Sequence, residues 1–191
     1  MNDKAQLKTQ ILDTTIHIFN KKGLKFTLDD IASLQGISKK TIYTVFNSKE
    51  DLFLTMVDYI FDSIKESEQK IIDDETMSTE AKIRSILTVL PEAYKDVNFQ
   101  ELYVLKDKYP KTYQKVEMRL ETGWESTIEL LEQGMEEGVI RIFNIPILKT
   151  MFEASIEQFF KRDVLVKNNI CYNDALDEVV DILMDGIVRI R

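Results

Sequence analysis

The chain has 191 residues, a formal net charge of −8, 44% apolar residues and only six Gly and three Pro, so it can bury a sizeable core and carries no linker-like composition. One cysteine, Cys171, excludes an internal disulfide framework, and with one histidine, His17, no glycine-rich phosphate loop and no metal-ligand spacing, neither an enzyme nor a cofactor or metal site is expected. The start MNDKAQLK is too charged for a signal peptide and no apolar run reaches the roughly 20 residues that span a bilayer, so a cytoplasmic protein without a membrane partner is expected.

Amphipathic segments fill nearly the whole length, and runs of alternating apolar and polar residues are missing, which predicts an all-α fold of about nine helices. The first helix is predicted over residues 5–22, with Leu7, Ile11, Leu12, Thr15 and Phe19 on one stripe and Gly23 ending it. Thr27 caps a second helix with Asp30 three residues on, Ser38 caps a third, and Ser48 opens a fourth with Asp51 at the capping-box position. Within residues 27–53, Ala32 is small enough for two helices to cross closely, Gly36 can take the positive φ of a tight turn, and Ile37, Ile42 and Val45 form an apolar underside. This is a helix-turn-helix pattern. It leaves Ser38, Lys39, Lys40, Thr41, Tyr43 and Thr44 facing outward, a cationic, hydroxyl-rich surface suited to phosphate oxygens and base edges in a major groove.

The fourth helix is predicted over 49–71, with Leu52, Met56, Tyr59, Ile60, Ser63 and Ile64 at spacings of three and four. A fifth starts near Ser78 on the stripe Ile83, Ile86, Leu87 and Leu90, and Pro91 interrupts it; a short sixth is expected over 99–108. Pro110 starts a long seventh, running to Gly138 with Tyr113, Val116, Leu120, Trp124, Thr127, Ile128, Leu131 and Met135 in helical period. The eighth begins at Asn144 with Pro146 in its first turn, and Asn173 caps a ninth that runs to about Arg189. These last two are apolar over wide arcs, including Phe152, Ile156, Phe159 and Phe160 on one and Val179, Leu183 and Ile187 on the other. One chain can bury only part of such an arc, so these seven residues are the candidates for a self-complementary contact that makes a homodimer through a four-helix bundle.

The net charge divides by position. Residues 1–47 hold seven lysines against four acids, a net +3, and the remaining 144 carry −11. An acidic body repels DNA, so only the N-terminal end can approach a duplex. The natural division is a DNA-binding domain over 1–47 and a larger helical domain over 48–191.

Three patches, ILDTTIHIFNKKG, IASLQGIS and TIYTVFNSKEDL, at this spacing over roughly the first 55 residues, resemble the TetR/AcrR family of bacterial transcriptional regulators. Thr15 and Gln35 stand where the family usually has alanine, Lys40 where glycine is common, and Val45 where an aromatic or histidine is frequent; Thr15 can bond back to the Ile11 carbonyl. The resemblance implies an N-terminal three-helix DNA-binding domain followed by a larger ligand-binding and dimerisation domain. It further implies a homodimer on an inverted-repeat operator in double-stranded DNA, repression, and release by a small-molecule effector. By position in the matched motif, Thr27, Tyr43 and Lys49 are candidate phosphate contacts, and Lys39, Lys40, Thr41 and Thr44 are candidates for base edges, with Ser38 on the same surface. The effector cavity that the family keeps among its fourth to eighth helices would be lined here by Met56, Tyr59, Phe99, Tyr103, Tyr113, Trp124, Ile128, Phe152 and Ile156. Few cations fall on these stripes, so a lipophilic effector is expected. The competing function is a helical scaffold or co-regulator with a vestigial DNA-binding unit, which would show no preference among DNA sequences.

Overall fold

The computed structural model describes residues 3–91 and 105–188, and these are helical almost throughout. Helix α1 (Asp3–Lys22) ends in a single 3-10 turn at Gly23–Lys25, and α2 (Leu28–Gln35) and α3 (Lys39–Tyr43) follow. On α1 the buried face is Ile11, Leu12, Thr15, Ile16, Ile18 and Phe19. Thr15 is accommodated there because its hydroxyl donates to the Ile11 carbonyl at 2.6 Å, which removes the cost of burying it.

Both caps of the reading unit form. Thr27 and Asp30 make a complete capping box, with the Thr27 amide donating to the Asp30 carboxylate at 2.8 Å and the Asp30 amide donating to Thr27 Oγ1 at 3.2 Å. Gly36 closes α2 at φ 65°, and the Ile37 amide reaches back to the Ala32 carbonyl at 3.0 Å. Nothing lies within 4 Å of where a Cβ at Gly36 would stand, so the dihedral alone selects glycine here. Ile42 is fully buried beneath α3, while Ile37 and Val45 are half-buried against the same core.

Helix α4 (Lys49–Ile72) is the longest in the chain's described part and packs on α1 at one end and on the body along the rest. Ser48 caps it, accepting from the Asp51 amide at 3.0 Å; the reciprocal bond expected of Asp51 lands one residue earlier, on the Asn47 amide at 2.8 Å. The body continues with α5 (Thr79–Thr88), α6 (Leu105–Lys108), α7 (Pro110–Glu121), α8 (Glu125–Glu136), α9 (Ile145–Lys161), α10 (Val164–Asn168) and α11 (Tyr172–Asp185). Helix α4 lies against α5 and α7, α5 against α8 and α11, and α9 against α7 and α11. Ion pairs tie these layers: Arg119 on α7 reaches Asp62 at 2.7 Å on α4, and Arg84 on α5 reaches Asp181 at 3.0 Å and Asp185 at 2.8 Å on α11.

Several expectations change. The single helix expected over 110–138 is two, because the chain turns at Thr122–Trp124 with Gly123 at φ 78°. A side chain at Gly123 would be strained by that dihedral and would meet Lys65 Cε at 3.0 Å. The periodicity continued across the break because Trp124 still packs inward, its indole donating to the Leu120 carbonyl at 2.9 Å. The last helix is capped by Cys171, whose Sγ accepts from the Asp174 amide at 3.4 Å, and not by Asn173. It stops at Asp185, where the chain turns so that Val188 pairs with Ile140 in a lone antiparallel bridge and the Arg141 amide donates to the Ile187 carbonyl at 2.7 Å. Helix α10 was not foreseen. Of the sixth helix only Leu105–Lys108 is described, and Phe99, Tyr103 and Arg189 lie outside the described residues.

Candidate nucleic-acid interface and sensing cavity

The outward face of α3 carries Lys39, Lys40 and Tyr43, with Ser38 as its N-cap and Thr44 as its C-cap. Ser38, Lys39, Lys40, Tyr43 and Thr44 are exposed and Thr41 is half-buried. The hydroxyls are already oriented: Ser38 Oγ and Thr41 Oγ1 are 2.8 Å apart, and Thr44 Oγ1 donates to the Thr41 carbonyl at 2.7 Å. Tyr43 is 49% exposed despite its ring, a placement that water alone does not favour. Thr27 is exposed at the N-terminus of α2, where its hydroxyl is committed to Asp30.

The two motif lysines differ in electrostatic state. Lys39 Nζ donates to Asp29 Oδ2 at 2.9 Å, and that hydrogen bond raises its pKa. Lys40 is exposed, and no ion pair with it occurs among the described residues. Asp29 was not singled out in the sequence as a partner; its place on the first turn of α2, ten residues before Lys39, gave no helical spacing that would reveal the pair.

Lys49 is turned inward. Its ammonium donates to the Leu24 carbonyl at 3.2 Å and to the Phe26 carbonyl, and it lies 4.2 Å from the Phe26 ring centroid, 5.4 Å from Phe53 and 5.8 Å from Tyr109. Desolvation lowers its pKa. In this conformation the charge ties the reading unit to α4 and α7. Only the Phe53 partner, at i+4 on the same helix, was within reach of sequence spacing.

Two cavities of about 110 Å³ each lie side by side in the body. The first is almost wholly apolar and is walled by α4 (Phe53, Met56, Val57, Ile60, Phe61, Ile64), α7 (Thr112, Val116, Leu120) and the α1 residues Ile16 and Phe19. The Thr112 hydroxyl is buried in this wall with no hydrogen-bond partner. The second cavity shares Phe61, Ile64, Leu90, Leu120 and Tyr172 with the first and adds Lys65, Glu68, Trp124, Phe152 and Ile156. Burial raises the Glu68 pKa, and Lys65 at 2.7 Å opposes that rise.

Of the expected cavity residues, Met56 lines the first space, and Trp124, Phe152 and Ile156 line the second. Tyr59 does not: its hydroxyl donates to Asp13 Oδ1 at 2.9 Å, turning the ring to α1. Tyr113 and Ile128 pack into the core without lining either cavity, and burial drives the Tyr113 phenol far up. Phe99 and Tyr103 lie outside the described residues. Phe19, Phe61, Phe160 and Tyr172 were missed as wall residues.

The residues expected to pair with a second copy also divide. Ile156, Phe160, Leu183 and Ile187 are buried within one chain and have no surface to offer; Phe152, Phe159 and Val179 are half-buried. The apolar side chains left in water on these helices are Ile147 (59% exposed) and Met151 (52%) on α9 and Ile182 (67%) on α11.

No helix among the described residues is long and apolar enough to cross a membrane, and no group of three or more His, Cys, Asp or Glu there is arranged to hold a metal ion. Residues 11–56 match the family described as bacterial regulatory proteins, tetR family. The chain is 26% identical over 178 residues to the HTH-type transcriptional regulator YvaF of Bacillus subtilis, covering 93% of this chain and 94% of that protein. Among solved structures, a TetR-family regulator from Agrobacterium tumefaciens superposes with a TM-score of 0.69 at 14% identity, covering 98% of this chain and all of that one. The transcriptional regulator FadR of Bacillus subtilis, solved in complex with stearoyl-CoA, superposes with a TM-score of 0.61 at 18% identity, covering 94% and 98%.

Proposed function

The chain belongs to the TetR family of bacterial transcriptional regulators, and from that premise we propose that it acts in the cytoplasm as a homodimeric repressor that binds an inverted-repeat operator and leaves it when a lipophilic small molecule enters the body. Residues 1–47 serve as the reading head and 48–191 as the sensing and dimerising body, with no catalytic step. The observation that carries this reading is the wall of the apolar cavity, which takes Ile16 and Phe19 from the head as well as α4 and α7 from the body. A molecule filling that space presses on the helix that supports the reading unit. FadR, a neighbour in fold, was solved with stearoyl-CoA, which fits a cavity of this kind taking a lipophilic ligand.

Lys39, Lys40 and Thr44 are the base-reading residues in this proposal, with Tyr43, Thr27 and the Ser38–Thr41 hydroxyl pair on the flanking phosphates. Lys49 sets the angle between head and α4, and reaches phosphate only if it leaves its carbonyl partners. A single α3 reads few base pairs, and each good bidentate contact discriminates by about 1 to 3 kcal/mol, so selectivity requires two heads in successive major grooves about 34 to 36 Å apart. The interface is built on Ile147, Met151 and Ile182 with half-buried Val179, a stripe that water leaves unfavourably exposed in one chain. Release by the effector needs differential affinity for the two conformations, about 5.5 kcal/mol for a near-complete shift.

Selection of duplexes from a random library with the purified protein tests the proposal. Enrichment of an inverted repeat with half-sites one helical turn apart is expected. Enrichment of a single asymmetric site, or of nothing, contradicts it.

A further inference from the structure

Glu68 is the only ionisable side chain classed as buried among the described residues, and it lies in the wall of the second cavity. A carboxylate taken out of water is costly unless it is paired, so its place there asks for a cation. The cation present is Lys65, one turn earlier on α4. Its ammonium donates to Glu68 Oε2 at 2.7 Å and to the carbonyl of Gly123 in the α7–α8 turn. The Lys65 side chain is 40% exposed against 11% for Glu68, so the carboxylate is fixed and its partner sits on a flexible stem with a path to solvent. Gly123 leaves room for that stem, since a Cβ there would crowd Lys65 Cε at 3.0 Å. The other cation of this wall, Arg119, is engaged elsewhere by Asp62 at 2.7 Å and by Asp58. Around the carboxylate the wall is aromatic: Phe61, Tyr172 and the edge-on pair Trp124 and Phe152, 5.5 Å between centroids. A desolvated carboxylate, a backbone carbonyl and aromatic faces are together an environment for an organic cation.

We propose that Glu68 and the Gly123 carbonyl form the head-group seat for a lipophilic organic amine or quaternary ammonium, which displaces Lys65 to solvent and extends its apolar body past Phe61 and Leu120 into the first cavity. The proposal rests on the reading of the body as effector-binding and adds the charge of the effector. Exchange of one cation for another leaves the buried carboxylate paired throughout. The aromatic surface favours the incoming cation, because an apolar body also fills space that Lys65 leaves empty.

Calorimetric titration of the full-length protein with three probes of one shape, 1-naphthylmethylammonium, 1-naphthylmethanol and 1-naphthoate, tests the seat. The ammonium is expected to bind at least about tenfold tighter than the alcohol, with the carboxylate weakest. Glu68→Gln is expected to reduce the ammonium to the affinity of the alcohol while the alcohol still binds, which also shows that the variant is folded. Lys65→Met, which removes the resident competitor, is expected to tighten the ammonium; a purely structural ion pair would weaken it. Tightest binding by naphthoate, or a preference for the ammonium that survives Glu68→Gln, overturns the seat. Equal binding by all three overturns the seat and leaves the cavity as an effector site, whereas binding by none removes both.

Discussion

At the scale of single residues, the reading head holds its charges in check. Asp29 neutralises Lys39 at 2.9 Å, and the pair must open before Lys39 can reach a base edge. Exposed pairs of this kind are worth about 0 to 1 kcal/mol, so Asp29→Asn is expected to tighten operator binding about two- to fivefold, measured by titration at fixed salt. Weaker binding by that variant would show that Asp29 helps to form the interface. Asp30 has the opposite task, inside the protein. Its bond to Lys22 at 2.6 Å, together with the Thr27 bonds, pulls its pKa from 3.8 to about 2. A carboxylate with a depressed folded pKa stabilises above its unfolded pKa, and that stability is lost as pH falls through the folded one. Wild type is therefore expected to melt above Asp30→Asn near neutral pH, with the gap closing as pH falls towards 2; a gap constant with pH would remove Asp30 as its source. Thr27, Asp30, Gly36 and Ser38 were legible as caps and turn because those roles depend on neighbours within four residues. The inward turn of Lys49 was not, because its carbonyl partners stand 23 and 25 residues away.

At the scale of elements, α4 is both floor of the cavity and support of the head. Phe53 makes this coupling physical: it is 1% exposed, packs on Phe26 of the head at 5.3 Å and on Tyr109 before α7 at 4.6 Å, and walls the first cavity. Phe53→Ala is expected to destabilise by about 3 to 5 kcal/mol in denaturant unfolding, with enlargement of the space beside it. A loss below about 1 kcal/mol would mean that the head and body do not pack through this ring. The stripe facing the cavity is Phe53, Met56, Val57, Ile60, Phe61 and Ile64, whereas the residues favoured from sequence included Leu52, Tyr59 and Ser63. Both sets have helical period, and Met56, Ile60 and Ile64 belong to each. Periodicity fixes that a helix buries a face but leaves the face uncertain by one residue's rotation, and Tyr59, bonded to Asp13, shows the consequence. The α7–α8 turn was hidden for a related reason, since Gly123 interrupts the backbone without disturbing the inward sequence of Leu120, Trp124 and Thr127.

At the scale of the whole molecule, charge and apolar surface point to one arrangement. The head carries +3 and the remainder −11, so the long-range field favours approach to DNA by α3 and disfavours wrapping by the body. The exposed Ile147, Met151 and Ile182 lie on α9 and α11, within the acidic part of the chain, and a two-fold contact there would hold both heads on the same duplex. The class of fold and the place of the head were legible because the pattern is local and dense in the first 55 residues. The dimer face was misassigned within the right two helices, since only a folded chain shows that Ile156, Phe160, Leu183 and Ile187 are already covered by their own chain. The most direct measurement is the salt dependence of operator binding for wild type and for the Lys39→Ala/Lys40→Ala variant. With two such charges removed per protomer, four in the dimer, the slope of log K against log salt is expected to fall by about 3 to 4, with a loss of affinity for the operator. An unchanged slope would take α3 off the DNA and contradict the account.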